Sequence, residues 1–279
     1  MIRVLNKETF FPYLILILVT IISIYRFFYM ISTSFMTVGE ATNQYLIPKK
    51  LMFENYFQVW TSSNFQKYTL NSLIISSIVV IGILFTSIPA AYAFARIDFP
   101  LKNIIFYFLL ISLMIPEIIM LLPHLLIIRG EIIPLPFGPS WMNTLKGLTV
   151  PFMGNVFVIF LLRQYFKKIP KELWDAARID GANHLYFLYK VVVPISLPII
   201  FFLLLTGFIN TFQAFNHIYV MQTSSAGDTM DVVTVEIFDH FWGRVKYGYA
   251  AAEGVILFIL LNVLAISQYI FFRKRLNYD

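Results

Sequence analysis

The groups in this sequence that could do chemistry are ionisable and amide side chains set inside long apolar stretches. Glu117 follows Pro116, and His124 stands seven positions later, two turns on along the same face of a continuous helix. A carboxyl group in hydrocarbon is costly and usually faces a bundle interior or water. Glu117 therefore reads either as a pathway or proton-carrying group, or as a helix–helix hydrogen bond beside a proline kink. Farther along, Asn210, Gln213, Asn216 and His217 recur at i, i+3, i+6 and i+7, with Phe212, Phe215 and Tyr219 close by. On one helix the four share a polar stripe. Hydrogen-bonding groups beside flat apolar faces fit the wall of a polar cavity within the bundle. Packing against a partner chain fits them equally.

Catalysis finds no foothold. There is no cysteine, the four histidines fall in different segments, and neither H-E-x-x-H nor G-x-S-x-G occurs. The phosphate loop G-x-x-x-x-G-K-[ST] is absent too, so ATP hydrolysis by that route must lie elsewhere. Asp228, Asp231, Glu236, Asp239 and His240 make one late segment acidic. Their type would suit a metal, but their scattered spacing points to a solvated docking surface. No catalytic residue, metal site or bound cofactor is expected in this chain.

The elements that must position these groups follow from composition. Of 279 residues, 59% are hydrophobic and 13% charged, about half the 25% or so charged residues of a soluble domain. Mean hydropathy is +0.75. Such a chain cannot cover a water-facing surface, and an all-α membrane protein is expected, since lipid offers no partners to open strands. Six apolar stretches reach the 20 or so residues that a bilayer requires: 10–31, 69–95, 103–128, 147–166, 194–221 and 250–272. Residues 1–9 and 273–279 are then tails, and 167–193 a long loop. Lys49, Lys50, Lys67, Arg129, Lys146, Arg244 and Lys246 lie on one side, Arg26 lies within a span, and the other thirteen of the 21 basic residues lie on the opposite side. The positive-inside rule places both termini in the cytoplasm. The formal net charge of +6 thus reports topology, and no nucleic-acid motif accompanies it.

The loop after the fourth span runs Lys167-Lys168-Ile169-Pro170-Lys171-Glu172-Leu173-Trp174-Asp175-Ala176-Ala177-Arg178-Ile179-Asp180-Gly181-Ala182-Asn183. Pro170 suits a helix start and Gly181 its left-handed stop. Leu173, Ala176, Ala177 and Asp180 recur at helical spacing on one face, and the two alanines there allow close approach of another surface. Pro194 and Pro198 then predict a kink at the entry to span five.

Asp175-Ala176-Ala177, Gly181 four residues on, and Val191-x-Val193-Pro194 resemble the EAA loop of ATP-binding-cassette importer permeases, with Asp for Glu at 175 and Val for Ile and Leu at 191 and 193. The run Arg178-Ile179-Asp180-Gly181-Ala182 is similar to the carbohydrate-uptake branch. Asn71-Ser72-Leu73, Ala90-Ala91-Tyr92-Ala93-Phe94-Ala95-Arg96, Met114-Ile115-Pro116 and Phe160-Leu161-Leu162-Arg163 resemble the second permease of maltose-type and glycerol-phosphate-type importers. The segments 215–221 and 247–252 are as similar to the first.

The resemblance implies a multi-pass permease subunit in the cell membrane of a prokaryote. Glu172, Asp175, Ala176, Ala177, Arg178, Asp180, Gly181 and Pro194 would couple it to an ATPase. Its implied partners are a second six-span permease, two ATPase subunits that hold ATP and Mg, and an extracytoplasmic sugar-binding protein. The competing expectation is a self-sufficient secondary transporter carrying its ion on Glu117. The loop motif, and the lack of an inverted hydropathy repeat, speak against it.

Overall fold

The computed structural model describes residues 7–61, 64–136, 138, 140–221 and 231–276. Among them the chain is all-helical, without a strand. Four helical stretches are long and apolar enough to cross a membrane: Phe11–Ser34, Phe65–Arg96, Leu145–Lys168 and Tyr247–Arg273. Two further pairs pass the same test only when taken together, being bent by 95° (Lys102–Ser112 with Glu117–Ile128) and by 77° (His184–Ile195 with Leu197–Phe212). The count is therefore four, or six if each bent pair is one span.

In chain order the α-helices are α1 (Lys7–Ser34), α2 (Val38–Thr42), α3 (Glu54–Thr61), α4 (Phe65–Arg96), α5 (Lys102–Ser112), α6 (Leu121–Ile128), α7 (Leu145–Thr149) and α8 (Val156–Lys168). They continue as α9 (Lys171–Ile179), α10 (His184–Phe187), α11 (Val193–Ile195), α12 (Leu197–Phe212), α13 (Asn216–Met221), α14 (Val233–Phe238) and α15 (Tyr247–Leu276).

The third apolar stretch is not the continuous helix the sequence suggests. α5 stops at Ser112, Pro116 is extended at φ −60°, ψ 133°, and a 3-10 turn over Glu117–Met120 precedes α6. Proline disfavours helical geometry in the residue before it, which ends the helix ahead of Pro116. In the fifth stretch a π-helical turn, Leu188–Val192, leads into α11, and the bend falls at Ser196 between Pro194 and Pro198. There the predicted kink is found.

Two compact units partition the chain. The first comprises Met1–Gln66 and Glu236–Asn262. Residues 11–27 of α1 are exposed on every side and apolar apart from Thr20, Ser23 and Arg26, the two hydroxyls being satisfied by the Leu16 and Val19 carbonyls of the same helix. Below them, Asn55 Nδ2 donates to the carbonyls of Ser34 (2.9 Å) and Met36 (3.1 Å), and Ser34 Oγ meets Tyr56 Oη at 2.6 Å.

The second unit, Lys67–Val235 with Val263–Asp279, holds the larger core. Ile75, Val79, Tyr92, Leu162, Phe166, Phe187, Val192 and Leu203 are buried in it. At one end of α4, Asn71 Nδ2 donates to the Asp231 carbonyl at 3.0 Å and Ser72 Oγ accepts from Val233 N at 3.1 Å. At its other end α4 meets α8, and there the site is built.

Candidate functional site

The α4–α8 junction is tied by two arginines. Arg163, on α8 and buried, donates from Nε to the Phe94 carbonyl at 3.2 Å, one of the last four carbonyls of α4. Arg96, the last residue of α4, donates in return to the carbonyls of Phe166 (2.8 Å) and Ile169 at the end of α8. Helix ends carry partial negative charge and unpaired carbonyls, so each cation satisfies the other helix's terminus. Neither residue was singled out from sequence for this role, although both stand at the ends of apolar stretches.

From this fixed end the chain turns through Ile169-Pro170 into α9. Helix α9 starts at Lys171 with Glu172 in its first turn and Arg178 in its last, both in dipole-favourable positions. Its end is a Schellman motif. Ala182 N donates to the Ala177 carbonyl (2.9 Å), Gly181 N donates to the Arg178 carbonyl (3.0 Å), and Gly181 takes φ +86°. Asn183 then caps α10, its Oδ1 accepting from Tyr186 N at 2.8 Å.

Orientation of α9 corrects one expectation. Ala176 and Ala177 do not present one common docking face. Trp174 and Ala177, at i and i+3, are half-buried against the core, whereas Glu172, Leu173, Asp175, Ala176, Arg178 and Asp180 are exposed. Ile179 is 87% exposed. One alanine seats the helix on its own chain and the other faces outward, a distinction of a single 100° step that shared helical spacing could not resolve.

Trp174 stacks on His184 (centroids 4.3 Å apart, planes 14°) and meets Phe187 edge-on at 5.1 Å. His184 Nδ1 in turn lies 2.9 Å from Tyr92 Oη on α4. Beside this stack opens a cavity of about 520 Å³ lined by Arg96, Asp98, Trp174, Arg178, Asn183 and His184, among others.

The candidate pathway residues are less unified than their spacing suggests. Helix α12 ends at Phe212, Gln213 is its cap, and α13 starts afresh at Asn216, so Asn210, Gln213, Asn216 and His217 share no continuous stripe. The first three are exposed and His217 is half-buried. His217 lies 4.1 Å from Phe152, whose far edge meets His124 at 5.6 Å. Glu117 is exposed at the break after α5, and the 3-10 turn it opens removes the two-turn α-helical register with His124.

The late acidic segment also differs from expectation. Asp228 lies outside the described residues. His240 is buried rather than solvated, and its Nδ1 is 2.9 Å from Oε2 of the fully buried Glu253. Arg244 Nη1 lies 3.3 Å from His240 Nε2. Guanidinium only donates, so Nε2 is the acceptor and Nδ1–H faces Glu253. Glu236, His240 and Glu253 offer ligand atoms within 4.8 Å of one another. His240 Nε2 also lies 3.5 Å from Glu236 Oε1, so the buried imidazole sits between two carboxylates with the half-exposed Arg244 at its edge. Asp239 holds Arg244 at 2.8 Å. Scattered spacing hid the cluster because Glu253 comes from a different helix.

Among the described residues, the all-helical architecture with four to six apolar spans is that of a multi-pass membrane protein. Residues 82–278 match the family described as "Binding-protein-dependent transport system inner membrane component", and the chain belongs to that family. It is 30% identical over 254 residues to the trehalose/maltose transport system permease protein MalG of Thermococcus litoralis, covering 90% of this chain and 88% of the relative. It is 32% identical over 157 residues to the sn-glycerol-3-phosphate transport system permease protein UgpE of Yersinia pestis, spanning 54% of this chain and 53% of that one. The diacetylchitobiose uptake system permease protein NgcG of Streptomyces coelicolor is 30% identical over 187 residues, 66% of this chain and 59% of the relative. A solved bacterial ABC transporter involved in alginate import shares the fold, with a TM-score of 0.73 at 21% identity over 98% of each chain. Membership in a binding-protein-dependent family leaves the ion-coupled alternative on Glu117 without support.

Proposed function

We propose that this chain is one permease subunit of an ATP-driven sugar importer, with α9 as the coupling helix that engages an ATPase subunit. The observation that carries this is the outward face of α9. Leu173, Ala176 and Ile179 are exposed apolar side chains on a helix closed at its C-terminus by a Schellman motif and lying outside the apolar stretches. Such a face needs a partner surface, and the flanking Glu172, Asp175 and Asp180 supply charge around it. Ala177 and Gly181 act from behind, seating and terminating the helix, and Pro194 and Pro198 flank the bend at Ser196 where the chain re-enters the membrane.

Both termini and α9 lie on the cytoplasmic side, as the distribution of basic residues supports. A second permease completes the pathway, two ATPase subunits bind ATP and Mg, and an extracytoplasmic binding protein delivers the sugar. Asn210, Gln213, Asn216 and His217 line this chain's share of the cavity.

The test is purification in mild detergent, identification of co-purifying chains, and ATP hydrolysis with maltose, trehalose, sn-glycerol 3-phosphate or diacetylchitobiose plus the cognate binding protein. Co-purification of an ATPase stimulated by one of these supports the proposal. A chain that purifies without an ATPase and transports alone overturns it.

A further inference from the structure

Resting on α9 as the ATPase contact, we infer that Trp174, His184 and Tyr92 form a strut that carries displacement of α9 into the inner third of α4. Three observations converge on it. First, α9 buries none of its residues fully, so its seat on the chain is narrow. Trp174 and Ala177 are its two half-buried positions, and Trp174 is much the larger. Second, Trp174 rests on two rings of α10: the His184 face at 4.3 Å and the Phe187 edge at 5.1 Å. His184 continues the line to Tyr92, which is buried at 3% exposure, through the 2.9 Å Nδ1–Oη contact. An aromatic stack closed by a hydrogen bond resists both compression and sliding. Third, the receiving segment can move as a body. Pro89 lies within α4, three residues before Tyr92, and removes the backbone bond to residue 85. Beyond it, Phe94 and Arg96 are tied to α8 by the paired arginine bonds. Span two thus has a compliant point at Pro89 and a stiff end that α9 reaches through three side chains.

Trp174, His184 and Tyr92 are positioning residues. They touch neither nucleotide nor sugar, and they set how far α4 follows α9. The chain contains no cysteine, so it is labelled at two introduced sites before assembly with its partner chains. Ile81→Cys, above Pro89, and Asp98→Cys, below it, fall at exposed sites. With nitroxides at both, in the importer assembled with its ATPase subunits, the distance between them is read without nucleotide and after trapping with Mg-ATP and vanadate.

The expected result is a nucleotide-dependent shift in the parent, lost in His184→Ala and Trp174→Ala, retained in Trp174→Phe, and reduced in Tyr92→Phe. Basal ATP hydrolysis should stay within about twofold in His184→Ala and Tyr92→Phe, whose residues lie outside α9. Should His184→Ala fail to assemble, Tyr92→Phe decides, because it removes one oxygen and keeps the ring. No shift in the parent, or an undiminished shift in Tyr92→Phe and Trp174→Ala, overturns the strut. The ATPase contact itself is judged separately, by whether Ala176→Asp loses the co-purifying ATPase. The strut can therefore fail while that contact stands.

Discussion

The guanidinium of Arg163 lies 3.8 Å over the ring of Phe106 while its Nε holds the Phe94 carbonyl. One buried side chain thus joins α8 to both α4 and α5, using charge on the helix end and charge on an aromatic face at once. A desolvated cation–π contact contributes about 2 kcal/mol, and a hydrogen bond from a charged group about 1.5–3 kcal/mol. Methionine refills part of the space and recovers some packing on Phe106, so Arg163→Met should lower stability by about 2–4 kcal/mol rather than the full sum. Arg163→Lys should recover only part, because an ammonium group lacks the planar face that stacks on Phe106. Thermal unfolding in one detergent, compared across the three proteins, checks the order.

Gly181 sits at φ +86° with no atom near the place a Cβ would occupy. Steric room is therefore not the constraint; backbone conformation is. Gly181→Ala should destabilise the end of α9 by about 1–2 kcal/mol, and Gly181→Asn by less, since asparagine tolerates the left-handed region. Amide exchange of Ala182, whose N–H closes the Schellman motif on Ala177, reports the change directly.

Two neighbouring alanines should respond differently to the same charge. Ala176→Asp leaves the chain folded and weakens its association with the ATPase, because residue 176 faces outward. Ala177→Asp brings a carboxylate against the core beside Trp174 and lowers the yield of folded permease. Membrane yield and ATPase co-purification, measured on both variants, separate the two. Equal loss of co-purification at unchanged yield would refute the assigned orientation.

Glycines packed on backbone and on side chain should also differ. A Cβ at Gly248 would come within 2.3 Å of the Met36 carbonyl oxygen, whereas one at Gly82 would meet only the Met153 side chain. Methionine has flexible torsions and can yield, but a carbonyl held in a helix-end network cannot. Gly248→Ala should abolish stable expression, and Gly82→Ala should cost about 1–3 kcal/mol at most. Detergent-solubilised yield and thermal midpoint give the comparison.

The short helix α2 carries a pH-dependent cap. Glu40 accepts from the Thr37 backbone N–H at 3.1 Å while Thr37 Oγ1 accepts from Glu40 N, closing a capping box. The Thr37 hydrogen bond holds the Glu40 carboxyl below its ordinary value of 4.5. A lowered folded value means that the contribution is present above the unfolded value and is lost as pH falls through the folded one. Amide protection over residues 40–43 should therefore decrease as pH falls below 4.5, and this dependence should vanish in Glu40→Gln.

Fold class was legible because it depends on quantities that a sequence displays directly: long apolar runs, scarce charge, and proline and glycine bracketing α9. The site was legible where a backbone requirement selects a residue type, as at Gly181 and Pro194. Contacts between distant segments left no such trace. Nothing local links Tyr92 to His184, or His240 to Glu253. Periodicity also misled where helices break. It joined Glu117 to His124, and Asn210 to His217, across a 3-10 turn and a helix end that count residues differently from an α-helix.

The 95° turn after α5 carries an obligation of its own. Its amides are largely satisfied from within: Leu113, Met114 and Ile115 donate to the carbonyls of Leu110, Ile111 and Ser112, and Pro116 has no N–H to satisfy. Met114 is 82% exposed there, and Leu113 and Ile115 are bare as well. What the corner turns outward is apolar side chain rather than bare peptide, so water is the neighbour it fits least and a hydrocarbon or protein surface the one it fits best.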